Sequence, residues 1–403
     1  EYSTIGSTAE QIKTYVIDYY NNHNLVYLLL IGDAEDIPSL YKSGDSDAAY
    51  GHILGDDSYT EIFVGRFSAE NETQLETQVN RSIYYERDIE TSATWLSKAI
   101  GISSDEGGGG QGDDGEADRE HMDNIRTDLL NYGYDPVEQI YDPGASATTV
   151  SNKLNEGIGL INYVGHGSDY SWGTTGFSVN DVNNLTNENM LPFIFDVACV
   201  NGNFHGQTCF AESWLRATNN GNFTGAVAII ASTINQSWES PMDAQDEMND
   251  ILIESYENNI KRTFAGIVIN GGMHMIDEYG SDGSDMANTW TIFGDPSLLI
   301  RTKAPLTITI AHNDIVFVGS SEFEVTGDDG VVVALSSDDE LISMGKIENG
   351  NLSLSFDPLE SEGVLTLTAT GYNKVTYQTE IQVETPDSPY VVYRSNIIND
   401  TSG

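Results

Sequence analysis

Hydrophobic positions recur every three to four residues between Ala9 and Asn22, where Ile12, Tyr15, Val16 and Tyr19 share one face; this spacing predicts an amphipathic helix. Residues 26–31 then run apolar without interruption and stop at Gly32 and Asp33, the pattern of a strand buried on both faces. The two signatures keep alternating. Strands are predicted at 61–66, 98–102, 159–164, 192–199 and 225–231, with helical segments at 70–87 and 119–131. Strand and helix in succession predict an α/β unit over residues 1–303, a mostly parallel sheet flanked by helices.

After Pro305 the period changes. Residues 306–310, 352–356 and 364–370 alternate apolar and polar at every second position, and 315–318 and 330–335 are short β-branched runs. Loops of Asp, Gly, Ser and Asn separate them, so residues 304–385 are predicted to form a small antiparallel β-sandwich, immunoglobulin-like in architecture but without the inter-sheet cysteine pair. Residues 386–403 read as a linker leading into a truncated further module.

Charge changes this picture. The 403 residues carry 63 Asp+Glu against 17 Lys+Arg, a net charge of -46. Such a surface repels phosphate backbones and anionic lipid, which argues against nucleic-acid and membrane-surface partners. A solvated acidic coat for a saline habitat accounts for most of it; divalent cations and basic substrates suit the remainder. No apolar run approaches the ~18 residues that cross a bilayer. Cys199 and Cys209 are the only thiols, too few for a disulfide framework or a four-cysteine zinc site. A bridge between them would consume Cys199.

Candidate chemistry lies at two strand ends. Residues 161–164 break at Gly165 just before His166 and Gly167, and 193–198 end at Cys199 ahead of Asn201 and Gly202. In open α/β sheets ligands bind at the carboxyl edge of the strands. Adjacent strands would bring an imidazole and a thiol to one rim, the arrangement of a cysteine nucleophile with a histidine partner. Taken alone, Cys199 also fits a small buried apolar residue, and His166 a metal ligand or loop histidine.

The segments 163–168, 191–202, 209–212, 228–238, 245–249 and 293–299 resemble the gingipains, cysteine endopeptidases of caspase-like fold with a following Ig-like domain, and the similarity spans about residues 8–385. The resemblance implies Cys199 as nucleophile, His166 as the donor of a proton to the leaving amine, and the N–H groups of Gly167 and Cys199 as the oxyanion hole. Glu106 corresponds to the acid that orients the histidine. Asp118 corresponds to the acid at the base of the specificity pocket in the arginine-specific members, where a carboxylate pairs with a guanidinium. Trp238 would wall that pocket over the planar cation, with Met242 lining it. Trp238 also fits an ordinary core position.

Asp57, Tyr59 and Glu61 place oxygen donors at alternate positions, as calcium loops do. Asp33 and the carbonyls of Leu54 and Tyr59 would complete the site, and the resemblance implies a second, weaker calcium site at Glu116 and His121. Acidic loop residues in an acid-rich chain fit the same pattern. The family's pattern also places a further βα segment ahead of Glu1, has one residue more in the 203–208 loop, and lacks the long glycine run 107–110. The expectation is a secreted or cell-surface, calcium-stabilised endopeptidase that cleaves proteins after arginine. A lysine-preferring relative and a catalytically silent adhesion module are the alternatives.

Overall fold

The computed structural model describes residues 2–106, 112, 115–338 and 340–386. The glycine run 107–110 and the tail from 387 lie outside the described residues. The chain divides into two compact units, one reaching Ala304 apart from the segment Arg87–Ser92, the other holding that segment and the chain from Pro305.

The first unit is built on eight strands: β1 (Tyr27–Ile31), β2 (Phe63–Phe67), β3 (Ala99–Ser103), β4 (Val137–Tyr141), β5 (Leu160–Val164), β6 (Phe193–Val197), β7 (Ala228–Ser232) and β8 (Trp290–Phe293). They lie in the order β1-β2-β8-β7-β6-β5-β3-β4. Every residue of β3, β5, β6 and β7 is buried, because helices cover both faces. The helices include α1 (Ala9–Asn22), α2 (Glu72–Arg87), α3 (Asp118–Tyr132), α4 (Ala147–Asn155), α5 (Phe210–Arg216), α6 (Glu239–Leu252), α7 (Phe264–Tyr279) and α8 (Ser281–Thr289). The core gathers Ile161, Tyr163, Trp172, Phe177, Ile194, Phe210 and Trp214. Truncating any of these aromatics to alanine is worth about 3–5 kcal/mol.

Two strands lack a sequence signature. β4 reads Val-Glu-Gln-Ile-Tyr at the sheet's edge, with only Val137 and Ile140 buried. The four-residue β8 follows directly on α8, so its apolar run looks like a continuation of the helix. Its insertion matters for the layout: β8 pairs antiparallel with β7 and parallel with β2. The strands β1, β2 and β8 therefore run opposite to the other five.

The second unit contains β9 (Ile310–His312), β10 (Ile315–Phe317), β11 (Glu322–Gly327), β12 (Val332–Ser337), β13 (Glu340–Lys346), β14 (Asn351–Ser355), β15 (Gly363–Thr370) and β16 (Tyr377–Glu384). They form sheets β9-β11-β14 and β10-β16-β15-β12-β13, closed over Phe323, Val325, Val333, Leu335, Leu367 and Ile381. β11 and β16 alternate buried and exposed positions in the period expected of a sandwich. The run 306–310 does not form the expected strand: Leu306 makes an isolated bridge to Lys374, and the ladder begins only at Ile310.

Candidate active site

β5 and β6 are parallel neighbours in a register that sets Val164 opposite Val197. His166 and Cys199 each lie two residues beyond that pair, so the strands deliver imidazole and thiol to the same rim. Gly165 has φ +149° and donates its N–H to the Val197 carbonyl at 3.2 Å, turning the chain at the rim. The carbonyl of His166 is fixed by the Tyr163 hydroxyl at 2.6 Å and the Gly173 N–H at 2.7 Å.

Gly167 abuts the nucleophile's backbone: a Cβ there would stand 2.4 Å from the Cys199 carbonyl oxygen and 2.9 Å from the Ala198 Cβ. Only glycine fits. Past Cys199 the turn is strained, with Val200 at φ +48°, a left-handed conformation that a β-branched residue adopts rarely. Hydrogen bonds from Val200 N–H to the Ile234 carbonyl (3.0 Å) and from Gly202 N–H to the Ser232 carbonyl (2.8 Å) hold it.

The thiol of Cys199 is half-buried and accepts the Gln236 N–H at 3.4 Å. His166 is solvent-facing; its Nε2 lies 3.0 Å from Glu106 Oε2. With Nε2 held by the carboxylate, Nδ1 is the nitrogen left for proton exchange. The ring of Trp238 meets that of His166 edge-on at 5.2 Å. Beside the sulfur, Val164, Gly165, Val197, Ala198, Cys199, Gln236, Ser237 and Trp238 line a small cleft.

Asp118 opens α3 and is fully buried. Its Oδ1 accepts the Trp238 indole N–H at 2.8 Å, and its Oδ2 the hydroxyl of Ser104. Among the described residues no cation is paired with it. Trp238 thus grips the carboxylate by its edge as well as walling the cleft. Met242 is fully buried one turn into α6. Cys209 is buried and free, as is the thiol of Cys199 from any bridge, and burial pushes the Cys209 thiol well above its ordinary range.

The expected calcium set does not assemble as read from the sequence. β1 and β2 are parallel with Tyr27 opposite Phe63 and Ile31 opposite Phe67. Asp33 follows the end of one strand and Glu61 precedes the start of the other, so they sit at opposite ends of the pair. Asp33 instead lies 3.6 Å from Arg216. Leu54, Asp57, Tyr59 and Glu61 do share one loop: Glu61 Oε2 accepts the N–H of Ile53 (2.6 Å) and Leu54 (3.0 Å), and Asp57 Oδ1 that of Tyr59 (3.1 Å). Lys13 already supplies a cation to neighbouring carbonyls there, donating to Ala49, Tyr50 and His52.

Glu116 and His121 do come together, with a third group the sequence did not flag. His121 Nδ1 lies 3.5 Å from Glu116 Oε1 and 3.3 Å from Asp246 Oδ2. Its Nε2 is 3.0 Å from Gln245 Oε1, an acceptor that holds a proton on Nε2. Among the described residues, Nδ1 is buried without a well-formed hydrogen bond. Burial opposes a charge on this ring, yet Asp246 and Glu116 together push it up to about 10. The donor set fits a cation or a proton between the carboxylates. An imidazole nitrogen among two carboxylates suits zinc or manganese better than calcium, which takes oxygen ligands.

Three residues before the nucleophile, Asp196 accepts the Trp172 indole N–H at 2.8 Å in the core. Burial pushes its carboxyl up to about 8, against 3.8 ordinarily. The folded chain therefore keeps this proton where the unfolded chain loses it, and stability falls as pH rises from about 4 to about 8. Asp196→Asn is expected to raise the melting temperature at pH 8 and leave it unchanged near pH 4. Equal effects at both pH values would contradict this assignment.

Comparison with known proteins agrees with this geometry. The description "Peptidase family C25" matches residues 1–301, and "Peptidase family C25, C terminal ig-like domain" matches 312–384. Gingipain R2 of Porphyromonas gingivalis is 45% identical over 398 residues, 96% of this chain and 54% of that protein. Gingipain R1 of the same organism is 45% identical over 401 residues, 98% of this chain but 40% of that protein, so the chain spans about half or less of these relatives. Lys-gingipain HG66 is 28% identical over 254 residues, 58% of this chain and 14% of that protein. The crystal structure of the Arg specific cysteine proteinase gingipain R superimposes with a TM-score of 0.91 at 45% identity, covering 94% of this chain and 88% of that one. With a caspase-like sheet unit, an Ig-like domain and a paired Cys–His rim, this chain belongs to peptidase family C25.

Proposed function

We propose that the chain is a cysteine endopeptidase that cleaves polypeptides after arginine. The observation that carries the specificity is Asp118, a fully buried carboxylate without a cationic partner among the described residues, joined through Trp238 to the cleft beside Cys199. A buried charge left unpaired is costly, so the compensating cation arrives with the substrate. A guanidinium supplies it in planar form.

In the proposed reaction the Cys199 thiolate attacks the scissile carbonyl carbon, forming a C–S bond and an oxyanion. The N–H groups of Gly167 and Cys199 receive that oxyanion; one such donor is worth about 3 kcal/mol. The C–N bond breaks as His166 gives its proton to the departing amine, leaving a thioester. His166 then takes a proton from water, which attacks the thioester and releases the acid and the thiolate. Glu106 keeps the imidazole oriented through the 3.0 Å contact of its Oε2 with His166 Nε2.

The reading is tested with reporters carrying arginine, lysine or a neutral residue before the scissile bond, alongside alkylation of Cys199 across pH. Arginyl turnover and fast, pH-dependent alkylation are expected. Equal turnover of the three reporters would remove the specificity, and slow alkylation would leave a silent binding module.

Two cation sites belong to the same proposal. Calcium is assigned to the loop of Leu54, Asp57, Tyr59 and Glu61, without Asp33. A divalent cation of the zinc or manganese class is assigned to Glu116, His121 and Asp246, where it would brace the segment before Asp118. A chelator is expected to lower the melting temperature by several degrees, with calcium restoring it in wild type but not in Glu61→Gln. An unchanged melting curve would count against both sites. An extracellular location is proposed from the acidic coat of net charge -46 and the family. No helix among the described residues is long and apolar enough to cross a membrane.

A further inference from the structure

Ser104 is the first residue beyond β3, and its N–H donates to the Val164 carbonyl at 3.2 Å, binding it to the strand that delivers His166. It is 4% exposed. Its single hydroxyl proton goes to Asp118 Oδ2, while its oxygen accepts the Glu106 N–H at 3.1 Å. The Asp118 N–H in turn donates to the Glu106 carbonyl at 3.2 Å. Three residues are thereby knotted at the base of the segment that leaves the sheet after β3 and returns at the start of α3.

The direction of these bonds separates Ser104 from an ordinary turn serine. A hydroxyl that only accepts from a backbone N–H two residues on is a local turn device. Here the accepted N–H and the donated O–H form one chain ending on a buried carboxylate, and such chains polarise along their length. One end of the chain is the carboxylate read above as the arginine receptor. The other end is the backbone of Glu106, whose Oε2 holds His166 Nε2 at 3.0 Å.

We propose that Ser104 is a positioning residue that sets the specificity carboxylate and the histidine-orienting glutamate together, so that pocket and catalytic rim share one hydroxyl. This rests on the reading of Asp118 and Glu106 given above. Arginine selectivity and the pH dependence of turnover should then move together when the hydroxyl is removed.

The test compares Ser104→Ala, Ser104→Thr, Asp118→Asn and the double variant Ser104→Ala with Asp118→Asn. Each is measured on arginyl, lysyl and neutral reporters, with pH profiles of kcat and melting curves, below the lowest melting temperature of the set. Ser104→Ala is expected to lower arginyl kcat/KM by about 10- to 100-fold, the range for a hydrogen bond to a charged group. It should raise KM for arginine more than for the neutral reporter and displace the pH profile of kcat. Ser104→Thr, which keeps the hydroxyl, should stay within about threefold of wild type. In the Asp118→Asn background the alanine change should cost little more in arginine selectivity, because both act on that interaction, while it still displaces the pH profile of kcat through Glu106.

Full multiplicative losses of arginine selectivity in the double variant would overturn the proposal, since Ser104 would then act elsewhere. So would a folded threonine variant as defective as alanine, or an alanine variant within twofold of wild type. A normal Ser104→Ala beside a defective Asp118→Asn removes this inference alone. Unchanged arginine selectivity in Asp118→Asn removes the pocket reading, and the inference with it.

Discussion

His166→Ala is expected to lower kcat by roughly four to six orders of magnitude, with Cys199→Ala as severe and the double variant no worse than either. In the proposed reaction the two side chains act as one proton-exchanging unit, for which the β5–β6 register holds them level at the strand ends. Neither is free to drift: the His166 carbonyl takes two hydrogen bonds, and the strained turn after Cys199 is tied at Val200 and Gly202. Under the proposed mechanism, loss of the imidazole removes the acid that protonates the leaving amine. KM for the arginyl reporter should change little, since the binding groups sit on α3 and before α6. Single-variant losses that multiply in the double variant would show that the residues work independently, and the unit would not exist.

Asp118→Ala is expected to lower arginyl kcat/KM by about 10^2- to 10^4-fold and to change turnover of a neutral reporter by less than about threefold. The carboxylate is fully buried and held by two neutral donors, the Ser104 hydroxyl and the Trp238 indole. These donors orient the carboxylate without supplying a cation. In the proposed reading a substrate guanidinium pairs with the carboxylate at a buried position, where a charge pair counts for more than at the surface. The cost of the variant falls on the substrate that brings the cation. Equal losses on arginyl and neutral reporters would mean that α3 had shifted and that Asp118 reads no charge.

The relation of Asp118 to Trp238 also explains why the pocket was only partly readable beforehand. Tryptophan was expected as an aromatic wall, and it does line the cleft. Its hydrogen bond to Asp118 spans 120 positions of sequence, and nothing local to either residue announces it. Asp246 joining Glu116 and His121 is of the same kind. The environment of Met242 is likewise set by packing. Four residues after Trp238 places it one helical turn away, but which face of α6 meets the sheet is a packing outcome.

By itself the sequence determined where strands end and which reactive groups stand at those ends, because a buried strand must be apolar along its length and must stop where polar groups begin. It likewise separated the α/β region from the alternating β region at Pro305, since side-chain period follows backbone geometry. The tertiary structure alone decided strand order and direction. The short antiparallel β8 between β7 and β2 reverses the β1–β2 pair relative to the rest of the sheet, and the parallel register of that pair separates Asp33 from Glu61. It also decided the state of Asp196, whose proton is held by burial that arises only once both sheet faces are covered. Local pattern records what a residue demands of its surroundings; which distant residues meet that demand is settled when the layers pack.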